Sequence, residues 1–295
     1  MARISNLQSS SGAFLVLAAA TLWGTTGTAQ TFAPPGASPL AVGAVRMVLG
    51  GAALVLLALL KGGWRDGPRW PILPTLLAVA GVAGYQLLFF AGVARTGVAV
   101  GTIVGIGSSP ILAGLLAWLV WRQWPGSRWL AATGLAIVGC ALLILASSRE
   151  VQLDLIGMLL AIGAGLAYAV YTLSSKLLLP GRPVHVVTGV VFGLGALCLL
   201  PLFWQVEMGW LAQPRGWLVG LHLGLVTLAL AYLLFTFGLQ RVPAATAVSL
   251  TLAEPLTAGL LGIFVVGEQL GSLAGLGIGL LFIGLLILSH RPPSR

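Results

Sequence analysis

The sequence predicts an all-α integral membrane protein of ten transmembrane helices, arranged as two inverted five-helix repeats around a central cavity. Three observations predict it. First, the 295 residues are 58% hydrophobic, carry 41 glycines and are only 7% charged. A soluble domain is about 25% charged, so this chain cannot cover a water-facing surface. Low charge with high hydrophobicity also excludes disorder. Second, the apolar residues fall into ten runs, each near the roughly 20 residues that cross a bilayer as a helix. Third, the chain aligns with itself when shifted by 145 residues.

The runs cover 12–32, 39–60, 72–93, 98–121, 128–147, 154–178, 183–204, 215–239, 244–266 and 271–290. Backbone amides in lipid must pair within their own segment, so each run reads as a helix. The alternating polarity of barrel strands is absent. The first run has only Arg3 before it and takes part in the repeat, so it reads as a retained span rather than a signal peptide. The remaining loops are too short for a separate soluble domain.

Orientation follows from Lys and Arg. With the N-terminus cytoplasmic, eleven basic residues lie on the inner side and three, Arg95, Arg149 and Arg215, on the outer. That asymmetry puts both termini in the cytoplasm. It also accounts for the net charge of +9 without a nucleic-acid partner.

The repeat divides the chain into 12–147 and 154–290. Gly12 to Trp23 falls on Gly157 to Tyr168, and Pro110-Ile-Leu-Ala-Gly-Leu-Leu falls on Pro255-Leu-Thr-Ala-Gly-Leu-Leu. Gly126-Ser127, Gly134 and Gly139 fall on Gly271-Ser272, Gly279 and Gly284. Five spans per copy is an odd number, so the second copy lies upside down. Inverted repeats place a small-molecule site at their interface near mid-membrane.

The stretch from Leu252-Ala-Glu-Pro-Leu to Gly267-Glu268 resembles the ninth span of the EamA branch of the drug/metabolite transporter superfamily. Gly275, Gly279 and Gly284 are similar to its end-of-repeat pattern. Leu22-Trp23-Gly24 resembles its first span, and Pro39 to Arg46 the start of its second. The first copy departs from the second at Gln123, aligned with Glu268, and at Ser109, aligned with Glu254. Within the family the chain looks most like the YddG-type exporters of aromatic and other amino acids. The resemblance implies a cavity lined by spans 1, 3, 4, 6, 8 and 9, and export of amino acids or related small metabolites by alternating access. A broad drug/metabolite exporter of the same fold is the alternative, and an integral membrane enzyme is less favoured.

Candidate substrate-binding residues follow from depth. Nine of the ten tryptophans lie near span ends, the aromatic belt, whereas Trp23 lies deep within the first span with Thr26 and Gln30 on its face. An indole N–H at that depth needs a partner or a cavity. Tyr168 and Tyr171 hold the matching positions of the second copy, and Tyr85, Phe89, Tyr232 and Phe235 place aromatics in spans three and eight. Ser108 joins them from span four. Glu254 is the only acid inside a span, where a charge costs at least about 2.5 kcal/mol. Docking of a substrate amino group, proton coupling and a structural hydrogen bond compete for it; among functional roles the amino-group contact is favoured. Arg46, Lys176 and His222 read as structural. Gly101 and Gly105, with the aligned kinks Pro110 and Pro255, are expected to bend spans four and nine around the cavity and help them rock.

No cofactor or metal set is expected. Cys140 and Cys198 read as apolar packing residues. The stripe Gly271, Gly275 and Gly279 in span ten reads as packing or a dimer face. The expected partners are a small-molecule substrate and membrane lipid, with a monomer or weak homodimer in the inner (cytoplasmic) membrane.

Overall fold

The computed structural model describes residues 2–64, 67–122, 124–146, 154–266 and 271–290. Every regular element among them is helical. Among the described residues, ten helices are long and apolar enough to cross a membrane. They are α1 (Ala2–Thr31), α2 (Pro39–Lys61), α3 (Ile72–Gly97), α4 (Ala99–Trp121) and α5 (Ser127–Ala146). The second copy supplies α6 (Leu155–Leu178), α7 (Val184–Leu202), α8 (Pro214–Leu239), α9 (Ala244–Val265) and α10 (Ser272–Ser289). The expected spans agree to within a few residues. Gln123, Gly267 and Glu268, singled out above, lie outside the described residues.

Starts and stops have local causes. The Ser38 hydroxyl accepts from the Ala41 amide at 3.2 Å, and Pro39 opens α2 where its missing N–H costs nothing. Asp154 caps α6 through the Gly157 amide at 2.6 Å and approaches Arg95 at 3.6 Å. That ion pair is about half exposed and contributes little.

Span three passes into span four without a loop. Gly97 takes φ 76° and ψ 166°, a conformation that side chains disfavour. The chain reverses there, bringing Gly101 onto Val93 and Gly105 onto Phe89. Gly97 is therefore the corner of a helical hairpin.

The two copies interlock. Helix α1 packs on α8 and α9, and α6 packs on α3 and α4, the same exchange in the other copy. Helices α2 and α7 pair, as do α5 and α10. In the last pair a Cβ on Gly139 would meet the Gly277 carbonyl oxygen at 2.6 Å, and one on Gly284 would meet the Ala132 carbonyl oxygen at 2.6 Å. These contacts map onto each other under the 145-residue shift. The stripe Gly271, Gly275 and Gly279 is not used for this packing: each faces open space.

The basic side chains at one end of the bundle hold helix ends. Lys176 donates to the carbonyls of Leu239, at 2.6 Å, and of Val242, where α8 turns into α9. Arg128 donates to the Ile287 carbonyl in the last turn of α10 and to the His290 carbonyl just past it, and Arg182 to those of Leu178, Pro68 and Arg69. Cations at helix C-termini satisfy orphan carbonyls and oppose the dipole.

Candidate functional site

Two prolines shape the middle of the bundle differently. Pro110 sits in a helix that stays continuous through it. Pro255 lacks the N–H that would reach the Thr251 carbonyl, and that oxygen accepts from Glu254 at 2.9 Å instead. Thr251 and Leu252 likewise bond three residues back, at 3.2 Å each. Helix α9 is thus interrupted by a tight turn, and a new helix opens at Ala253. Helix α8 widens to π geometry over His222–Leu230, just before Tyr232. Single π turns inside α-helices recur at functional sites.

Against this irregular backbone lies a cavity of about 60 Å³. Its lining is Trp23, Arg46, Tyr85, Ile106, Ser109, Tyr168, Tyr232, Thr251 and Glu254. Six of these nine form three pairs under the 145-residue shift: Trp23 with Tyr168, Ile106 with Thr251, and Ser109 with Glu254. The cavity therefore sits at the interface of the repeats. A neighbouring chamber of about 30 Å³ shares Arg46, Tyr85, Tyr168 and Tyr232, and adds a fourth symmetric pair, Met47 and Phe192, together with Gln86 and Tyr171.

All four tyrosines of the chain join one aromatic cluster. Trp23 lies 4.8 Å from Tyr232 and 5.5 Å from Phe235, centroid to centroid. Phe192 lies 4.3 Å from Tyr232. Tyr85 stacks on Phe89 at 5.5 Å and tilts against Tyr168 at 5.9 Å. Each such pair contributes about 0.5–1.5 kcal/mol beyond its buried area.

The polar atoms among these rings are short of partners. Trp23 Nε1, Thr26 Oγ1 and Arg46 Nε are buried without a hydrogen bond. Such orphans are rare in folded proteins. Arg46 spends one N–H on the Thr227 carbonyl, 3.2 Å away in the widened part of α8. His222 meets the Thr25 hydroxyl at 2.9 Å, outside the cavity.

Of the residues expected at the site, Trp23, Tyr85, Tyr168, Tyr232 and Glu254 line the larger chamber and Tyr171 the smaller. Phe89 and Phe235 lie one layer behind, in ring contact with the liners. Thr26 and Ser108 line neither chamber; Ser108 turns back to the Gly105 carbonyl at 3.3 Å, and Ser109 occupies the wall. Gly101 and Gly105 pack inside the α3–α4 hairpin. Helices α2 and α7, absent from the expected lining, contribute Arg46, Met47 and Phe192. The signal for Arg46 was present, since it is the only base deep in a run.

A wider vestibule of about 510 Å³ opens at the basic end of the bundle. Trp121, Trp124, Trp129, Lys176, Arg241 and Thr246 are among its walls, and it shares no lining residue with the central cavity. The larger central chamber has room for only a few water molecules.

Known proteins agree with this architecture. The chain matches the EamA-like transporter family twice, over residues 10–145 and 155–290. It is 46% identical to the uncharacterized transporter YwfM of Bacillus subtilis, over 95% of this chain and 94% of that protein. It is 28% identical to the threonine/homoserine exporter RhtA of Escherichia coli, over 90% of this chain and 86% of that one. A crystal structure 20% identical superposes with a TM-score of 0.81, covering 94% of this chain and 96% of its own, which shows a shared fold.

Proposed function

Because this chain belongs to the EamA-like transporter family, we propose that it exports amino acids or related small metabolites across the inner membrane by alternating access. Aromatic and other neutral amino acids are the favoured cargo. The observation that carries this reading is the cavity on the repeat interface, walled by aromatic rings and holding buried polar atoms without partners. An apolar wall with a few convergent polar groups is what an orienting small-molecule site requires. Glu254 would take the substrate's amino group, and the rings its side chain.

In this account the basic loops and both termini face the cytoplasm, so the vestibule beside Lys176 and Arg241 collects substrate there. The turn before Pro255 lets the two parts of α9 move separately. Helix α4, with Pro110 and the small Gly101 and Gly105, moves against it. Rocking of one bundle against its inverted partner exposes the cavity to either side.

A second reading has its own support. Ser109, Thr251 and all four tyrosines, each carrying a hydroxyl, line the larger chamber or its neighbour. The Escherichia coli relative is named as an exporter of threonine and homoserine. Small hydroxylated amino acids are therefore the competing cargo. Uptake into proteoliposomes of phenylalanine, tryptophan, threonine, homoserine and a lipophilic cation separates the readings. Transport of the cation alone would overturn both and favour a broad drug exporter.

Trp23→Ala is expected to weaken phenylalanine binding roughly three- to tenfold, the worth of one or two ring contacts, while leaving the protein folded. Saturation kinetics of uptake check it. An unaltered half-saturation concentration in a folded variant would make Trp23 a packing residue alone.

A further inference from the structure

We infer that Arg46 and Glu254 form a split receptor for the two ends of a zwitterion, Arg46 for the carboxylate and Glu254 for the ammonium group. This rests on the amino-acid reading above and extends it to a second charged residue of the same chamber.

The chain has one base and one acid deep within its spans. They come from different helices, α2 and α9, and different repeats, yet they line the same chamber. Among the described residues the ion pair is Arg95 with Asp154, and Arg46 and Glu254 do not form one. Two opposite charges in a low-dielectric cleft gain most by closing on each other. Here each is left incomplete. Arg46 gives one N–H to the Thr227 carbonyl, while its Nε is buried without a partner. The Glu254 carboxylate accepts no side-chain or backbone hydrogen bond among the described residues.

A purely structural pair held open in this way would be costly, because unpaired charges away from water are destabilising. A ligand carrying a carboxylate and an ammonium on one carbon completes both at once. Guanidinium and carboxylate are the matching groups: the first offers a planar fork of donors, the second accepts from an ammonium. Trp23, Tyr85 and Tyr232, on the same wall, are left for the substrate's side chain.

The test uses the purified full-length chain and three probes: L-phenylalanine, L-phenylalaninamide, which lacks the carboxylate, and N-acetyl-L-phenylalanine, which lacks the ammonium. L-Threonine with its amide and N-acetyl derivative makes a parallel set. Binding is read by ligand-induced thermal stabilisation and by competition for uptake. Wild type should bind the free amino acid roughly ten- to a hundredfold more tightly than either derivative, the worth of one hydrogen bond to a charged group. Arg46→Gln should lose that margin for the amino acid and keep its affinity for the amide. Glu254→Gln should lose it and keep its affinity for the N-acetyl derivative. Arg46→Lys and Glu254→Asp should retain part of the margin.

Equal weakening of all three probes by Arg46→Gln, or unchanged amino-acid affinity in either glutamine variant, would overturn the inference while leaving amino-acid transport intact. Failure of wild type to bind any amino acid would remove the transport reading and the inference together. If a glutamine variant does not fold, the wild-type ranking decides: equal affinity for the amino acid and its two derivatives overturns the split receptor.

Discussion

Gly24→Val is expected to abolish most transport, lowering the initial rate of amino-acid uptake by more than about tenfold. Gly24 is where α1 crosses α9. A Cβ there would lie 2.5 Å from Thr257 Cβ and 2.7 Å from the Glu254 carbonyl oxygen. The second neighbour is backbone and cannot rotate away. Valine adds two further methyl groups, so the helices must separate, and overpacking of this kind costs about 1–3 kcal/mol. The displacement falls between Trp23 and Glu254, adjacent in sequence or space and both on the cavity wall. Gly27→Val, one turn further along α1, is the control, because a Cβ at Gly27 meets nothing within 4 Å. Uptake per mole of reconstituted protein measures both. Equal loss at Gly27, or near-normal rates at Gly24, would mean that this crossing does not position the site.

A second large effect is expected on stability, and it comes in symmetric pairs. Gly139→Val and Gly284→Val should each lower the thermal unfolding temperature strongly, because each added Cβ collides with backbone of the partner helix. At Gly139 the clash is with Leu281 N at 2.5 Å, and at Gly284 with the Ala132 carbonyl oxygen at 2.6 Å. Gly134 and Gly279 are also related by the repeat, but both face open space. The same substitution there should shift unfolding little, and the gain in helix propensity over glycine works in the opposite direction. Scanning fluorimetry of the four purified variants tests the pattern. If one member of a pair is destabilised and its mate is not, the two helices do not meet about a shared pseudo-axis.

Much of the fold was legible because a bilayer leaves few options. Ten apolar runs, charges in the short connections and the 145-residue self-alignment were enough for span number and inversion. The α3–α4 hairpin was marked by Arg95, but the direct reversal at Gly97 was not, since glycine is common in membrane helices for several reasons. The Trp23-Gly24 pair has a physical basis in the structure: the indole needs the cavity, and the glycine allows α9 to approach.

The site was legible in part. Trp23 and Glu254 stand out because their chemistry is unusual at their depth. Arg46 was equally unusual, but an arginine one-third of the way along a span is explained as readily by snorkelling. What turns it inward is the rotation of α2, fixed where Gly50 lies against the Gly224 carbonyl and Leu228. Sequence spacing does not reveal that contact. Phe192 carried no signal, since a phenylalanine in lipid looks the same: Phe264 is 81% exposed and Phe192 only 1%. Ser108 and Ser109 differ by one position, or about 100° around the helix, so choosing between them needed the tertiary structure.

The account depends on one cavity between inverted repeats being reached from each side of the membrane in turn. Ser109 lines that cavity and is only 4% exposed. The direct measurement places a single cysteine at Ser109, with Cys140 and Cys198 replaced by serine or alanine, in vesicles of known orientation. A small membrane-impermeant thiol reagent is then applied from one side at a time. The account predicts slow labelling from both sides, and protection by a transported amino acid. Labelling from neither side, or from one side only whatever substrate is supplied, would contradict it.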